Sequence, residues 1–354
     1  MSNSKSFGQF LIKIRTVLIL IAVVLVFTIL KPIFMNPTNL LNMIKRMSYV
    51  CITACGMTFL LTLGAFDLSS GSIAALTGVL LAFMLDKGIA IGIALPAVLI
   101  MAIILGVINS AIIVEGKIAP FLTTLATMNI YSGVALTLTA GRTVSIKAKG
   151  FTNFFGNGKL FDVIPIPVLI MLFFLALCWF LFSKTKLGFY CRCIGGNEEA
   201  AKVAGINVNR IKYIAFTFNA FLSGVAGLIL AALMNAGVPS IGSDLAMDAI
   251  SAAVLGGTAI SGGVGTIIGT LLGALIMAAL NSGLALLGAQ SNVQVLVKGI
   301  VIILAVLMDN ALNSRTTVLQ VANTKETEKN MNTPGVTNSG WRIMLVHTKP
   351  LFLV

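Results

Sequence analysis

Few residues in this chain are suited to covalent chemistry. Asp67 and Asp248 are carboxylates set beside apolar stretches. An acid at membrane depth is costly unless it faces protein or water. The two could serve as ion or proton sites, and a membrane enzyme built on them stays open as a third reading. The single histidine, His347, lies far beyond the apolar region, so no Ser-His-Asp set can form there. Cys191-Arg192-Cys193 has one intervening residue, which is not a usual zinc spacing. Gly262-Gly263-Val264-Gly265-Thr266 is glycine-rich but lacks the lysine of a phosphate-binding loop. No catalytic residue, metal motif or ATP site of that kind is therefore expected. Cys51, Cys55 and Cys178 fall in apolar segments, so the five cysteines do not form a disulfide framework.

The elements that hold these residues follow from composition. Of the 354 residues, 58% are hydrophobic and 10% charged. A soluble chain carries about a quarter charged residues. The expected class is an all-α polytopic membrane protein with about ten transmembrane helices, some short or broken. The net charge of +13 sits mainly in flanks and loops. There it acts as an orientation and membrane-surface signal, so the bilayer, not nucleic acid, is the expected partner. Residues 1–16 read as a cytoplasmic N-terminal segment and 17–309 as one transmembrane domain. Residues 310–354 read as a disordered cytoplasmic tail, polar to Ser339. Both termini are expected on the cytoplasmic side of the membrane.

Two apolar segments are too short to span, and each borders a polar break. Gly64 to Ser72 precedes the run Ile73 to Leu85, and Ala249 to Ile260 ends at Ser261 to Thr266. Paired interruptions of this kind suggest an internal repeat around a central site. Polarity within apolar runs picks out Asp67, Ser69, Asn109, Thr123, Thr124, Asn129, Asn219 and Asn281 as candidate pathway residues. The competing reading of the hydroxyls is that they bond back to their own helices. Lys45 and Arg46 are read as preceding a helix from about Met47. The stretch Gly141 to Lys159 is the longest expected external loop. Its Arg142, with Asp244 and Asp248 further on, could meet an external protein partner.

The loop 184–212 is the most polar interruption. It carries Lys184, Lys186, Arg192, Lys202, Arg210 and Lys212 against two acids, which places it in the cytoplasm. Within it, Asn197 is a good N-cap, Glu198 and Glu199 suit the positive end of a helix, and Gly205 suits its far end. About two turns result, too short to stand alone in water. The helix is either a solvated connector or a docking element for a cytoplasmic protein.

Glu199-Ala200-Ala201 followed after three residues by Gly205 resembles the EAA-x3-G pattern of permease subunits of bacterial ABC importers. The wider strings Ile194 to Ala201 and Gly205-Ile206-Asn207-Val208 resemble the ribose-type sugar permease branch, as do Leu255-Gly256-Gly257-Thr258 and Gly265 to Thr270. The resemblance covers roughly Leu40 to Asp309. Asp67, Leu68, Ser69, Gly71 and Ser72 keep the family's pattern, whereas Ala65 and Phe66 depart from it. Arg142 keeps its place, but the family's next residue, proline, is here Thr143. The C-terminal tail is a further departure. The resemblance implies a permease importing a pentose or related monosaccharide by alternating access. It implies a separate ABC ATPase subunit carrying ATP and Mg, a periplasmic or lipoprotein sugar-binding protein, and a second permease copy in a homodimer. The helix of Asn197, Glu198, Glu199, Ala200, Ala201 and Gly205 would couple to the ATPase. The main alternative is a secondary transporter driven by an ion gradient through Asp67 and Asp248.

Overall fold

Apolar runs of this length have no water to satisfy their peptide groups in a bilayer, so they close their hydrogen bonds within helices. The computed structural model describes residues 2–161, 163–290, 292–301 and 303. The helices are α1 (Ser2–Leu30), α2 (Pro37–Thr62), α3 (Ser70–Asp86), α4 (Ile91–Val114), α5 (Pro120–Thr139) and a single turn, α6 (Lys149–Phe151). They continue with α7 (Ile166–Lys184), α8 (Lys186–Gly196), α9 (Glu198–Val203), α10 (Val208–Met234), α11 (Leu245–Leu255), α12 (Ile267–Leu286) and α13 (Asn292–Val301). Among the described residues, α2, α4, α5, α7, α10 and α12 are long and apolar enough to cross a membrane. Shorter apolar helices are Thr16–Leu30 within α1, α3, α11 and α13.

Local signals set the ends. Asn36 accepts a hydrogen bond from the Thr38 N–H at 2.9 Å, and Pro37 takes the first position of α2. Proline suits that position because its missing N–H would have no helical partner there. This start is ten residues earlier than the sequence suggests, so Lys45 and Arg46 lie inside α2, not before it. The stretch taken as external loop holds two short strands, β1 (Val144–Ser145) and β2 (Lys159–Leu160). Strand β2 pairs with β3 (Ile164–Pro165), and β1 pairs antiparallel with β4 (Ala236–Gly237) just after α10. The first half of the loop before Asn197 is helical, as α8. The N-terminal polar segment belongs to α1 from Ser2. The expected tail, 310–354, lies outside the described residues.

Helices α2 and α10 are the centre of the bundle. In each, 78% of the apolar window is buried, against 22% in α4 and α7. Helix α10 packs on α2, α3 and α4, while α11 and α12 pack on α2, and α1 lies along α12. Small residues allow the close contacts: a methyl on Gly106 of α4 would sit 2.6 Å from the Ala220 Cβ of α10. Such close backbone approach is a general means of packing membrane helices. The two interrupted segments also meet. A side chain on Gly71, at the start of α3, would strike the Gly242 carbonyl just ahead of α11, and the reverse holds for Gly242.

Candidate functional site

Helix α9 is built as the sequence suggests. The Asn197 side chain accepts from the Ala200 N–H at 2.9 Å. At the other end the Gly205 N–H donates to the Lys202 carbonyl and the Ile206 N–H to that of Ala201, both at 3.0 Å. That pair of bonds is a Schellman closure, which needs a left-handed residue. Gly205 supplies it, with φ +82 and open space where a side chain would be. Ala201 is buried against the bundle, whereas Val203 is 90% exposed and the Glu199 side chain 82% exposed. Glu198 is bridged to Lys212 of α10 at 2.9 Å and to Lys202 at 3.2 Å. Burial raises the Glu198 pKa, but the hydrogen bonds from Lys212 and Lys202 outweigh it and hold the carboxyl below its usual range. The helix is thus fixed on one face and presents an apolar knob ringed by charge on the other.

Helix α8 joins α9 to the bundle. Thr185 caps it, accepting from the Leu187 N–H at 3.2 Å, and Cys191 and Ile194 are buried. Its last turn rests on backbone. A methyl on Gly195 would overlap the Thr62 carbonyl at the end of α2 and lie 2.6 Å from the Gly263 nitrogen. The Gly263 N–H itself donates to the Thr62 carbonyl at 2.9 Å. One seam therefore joins α8, the end of α2 and the turn between α11 and α12.

A second polar group lies deep in the bundle. Asp67 Oδ1 accepts from the Ser69 N–H at 2.8 Å and the Ser69 hydroxyl at 2.6 Å, and Oδ2 accepts from the Asn219 amide at 3.0 Å. Asn219 also donates to the Ser70 hydroxyl at 3.0 Å. Asn109 donates to the Ser69 hydroxyl at 2.8 Å, and the Tyr131 hydroxyl donates to Asn109 Oδ1 at 2.9 Å. Asp67, Ser69, Ser70, Asn109 and Asn219 have no exposed surface. Gly56 leaves room for Asn219, whose Oδ1 is buried without a hydrogen-bond partner. Three donors on one carboxylate offset the cost of burying it. The network ties α4, α5 and α10 to the link between α2 and α3.

The far end of the bundle from α9 holds a cavity of about 630 Å³. Its walls come from the first half of α2, the last turns of α10, the start of α11, the second half of α12, and α13. Asp248 of α11 forms an ion pair with Lys298 of α13 at 2.9 Å. Asp244, Asn281, Arg46 and Tyr49 share the lining.

The candidate residues thus separate into groups. Asp67, Ser69, Asn109 and Asn219 form the buried network; Asp244, Asp248 and Asn281 line the cavity. Thr123 and Thr124 are buried on α5, whereas Asn129 is exposed and bonds back to the Leu125 carbonyl at 3.1 Å. Arg142 is exposed just beyond α5. Cys191 is buried, and among the described residues no three metal-ligating side chains come together. Sequence places Tyr131 among the polar residues spread along α5 and Arg46 at a helix boundary, and gives neither a partner. Tyr131 sits about one turn beyond Thr127 on α5, and its contacts with Asn109 and the Leu105 carbonyl give it its place in the network.

Helices long and apolar enough to span, with shorter apolar helices and buried polar groups beside them, define a multi-pass membrane protein. Residues 39–306 match the family described as the permease component of branched-chain amino acid transport systems, and the chain belongs to that family. The ribose import permease protein RbsC of Haemophilus influenzae is 38% identical over 87% of this chain and 96% of its own length. The protein of that name from Bacillus subtilis is 40% identical over 82% of this chain and 90% of its own. The L-arabinose transport system permease protein AraH of Escherichia coli is 34% identical over 87% and 93%. No solved structure matches the chain.

Proposed function

We propose that this chain is the permease subunit of an ABC importer that moves a pentose or related monosaccharide across the cytoplasmic membrane by ATP-driven alternating access. The reading rests first on α9. A six-residue helix is too short to persist alone, yet this one is capped at both ends, pinned through Ala201 and Glu198, and leaves Val203 and Glu199 in solvent. A rigid, exposed knob on a basic loop suits docking of a cytoplasmic ATPase that carries ATP and Mg, with both chain termini on the same side of the membrane. The seam at Gly195 would carry the stroke of that ATPase to α2 and to the α11–α12 turn. Sugar as cargo is favoured over a branched-chain amino acid by relatives whose names specify ribose and arabinose.

The opposite end of the bundle would face a periplasmic or lipoprotein sugar-binding protein, with Arg142 among its contacts. A second copy of the permease would complete the pathway as a homodimer. The ion-coupled alternative draws no support from the two acids, because Asp67 is filled by three donors and Asp248 by Lys298. The test is co-purification with the ATPase. Glu199→Lys and Val203→Glu should abolish it while the protein still inserts, since neither side chain packs. Unchanged association in both would remove the docking role.

A further inference from the structure

We infer that the cavity opposite α9 is a subsite for a neutral, polyhydroxylated solute, held through Arg46, Asp244 and Asn281 against the ring of Tyr49. The inference rests on the importer reading and assigns the residues that meet its cargo. The size is right: about 630 Å³ falls within the range of small-molecule sites, roughly 300–1,000 Å³. The chemistry is also selective. Arg46 and Lys298 oppose Asp244 and Asp248, so the lining is balanced and has no net pull on an ion. Asp248 and Lys298 satisfy each other at 2.9 Å, with side chains only 16% and 13% exposed, and so act as a wall between α11 and α13.

Arg46 and Asp244 have no ion-pair partner among the described residues. A carboxylate can accept from two adjacent hydroxyls, and a guanidinium donates through a planar fork. Asn281 adds both a donor and an acceptor. An aromatic wall then covers the C–H face of a sugar ring. A zwitterion could instead span Arg46 and Asp244, and the test separates the two.

The test uses the assembled transporter, with its ATPase and binding protein, carrying Asn42→Cys, on a lining residue outside the proposed contacts. The native cysteines give little background. Cys51, Cys55, Cys178 and Cys191 are buried, and Cys193 lies on α8 at the other end of the bundle. A membrane-impermeant thiol reagent added on the cavity side should label the new cysteine. Ribose should slow that labelling several-fold, and leucine should not. Asn281→Leu should lower ribose uptake about ten-fold, as loss of a hydrogen bond worth roughly 1.4 kcal/mol would, with its level in the membrane unchanged. No labelling, or labelling indifferent to ribose, would overturn the inference, and protection by leucine alone would replace the sugar by a zwitterion. If the unmodified transporter shows no ATP-driven ribose uptake, the importer reading itself fails. If it does and Asn42→Cys is indifferent, only the subsite fails.

Discussion

Gly195 and Gly196 are adjacent, end the same helix and differ only in what faces them, which makes them a controlled test of the seam. A methyl at Gly196 meets nothing within 4 Å. A methyl at Gly195 overlaps the Thr62 carbonyl and comes to 2.6 Å from the Gly263 nitrogen. Carbon rests about 3.3–3.6 Å from such polar atoms, so the seam must open by roughly 1.5 Å at the Thr62 carbonyl. Overpacking of this kind costs about 1–3 kcal/mol. Opening also stretches the bond from the Gly263 N–H to the Thr62 carbonyl, now 2.9 Å, adding about 1 kcal/mol. Gly195→Ala should therefore destabilise by about 2–4 kcal/mol, whereas Gly196→Ala should be neutral or slightly stabilising, because it only restricts the unfolded chain. Thermal unfolding of the purified protein in detergent reads the first difference. ATPase stimulation by loaded binding protein in the assembled transporter reads the second, and it should fall for Gly195→Ala alone. Equal behaviour of the two variants in both assays would refute the seam as the joint between α8 and the bundle.

The buried network and α9 give two more tests. Asp67→Asn keeps an acceptor for Ser69 but turns an amide toward the Asn219 amide, donor against donor. Rotating Asn219 would only leave its N–H groups facing Gly56, so the variant should lose roughly 1–3 kcal/mol in detergent unfolding; unchanged stability would show that the carboxylate is not needed there. Glu198 has a folded pKa below its ordinary value of about 4.3. Its contribution is therefore present above about pH 4.3 and is lost as pH falls through the lower folded value. The hydrogen-exchange protection factors of the α9 amides, taken relative to the unfolded chain at each pH, should stay flat from neutral pH down to the ordinary carboxylate range and fall only below it. Glu198→Gln should remove that acid step, and an identical step in the variant would count against the ion pairs with Lys202 and Lys212.

Much of this architecture is legible in the sequence because membrane helices declare themselves by apolar length and their ends by Pro, Gly and Asn. Asn197 and Gly205 bound α9 where their cap preferences place them, and the short segments at α3 and α11 are visible beside their glycine breaks. What the sequence hides is polar residues inside helices. Lys45 and Arg46 look like a boundary, yet they ride within α2, where Arg46 can reach the cavity. The string after Lys186 reads as a charged loop, but Cys191 and Ile194 bury one face of it as α8. Polarity alone could not separate Asn219, which meets Asp67, from Asn129, which is exposed, because three-dimensional partners decide between them. Nor could spacing show that Gly71 touches Gly242, or Gly195 the end of α2, since these contacts join distant parts of the chain.

The importer reading is tested most directly by uptake in proteoliposomes holding this chain, its ATPase and its sugar-binding protein. Ribose should accumulate only when ATP is hydrolysed, and uptake should survive an ionophore that collapses the ion gradients. Uptake by the permease without the ATPase, abolished by the ionophore, would contradict the account.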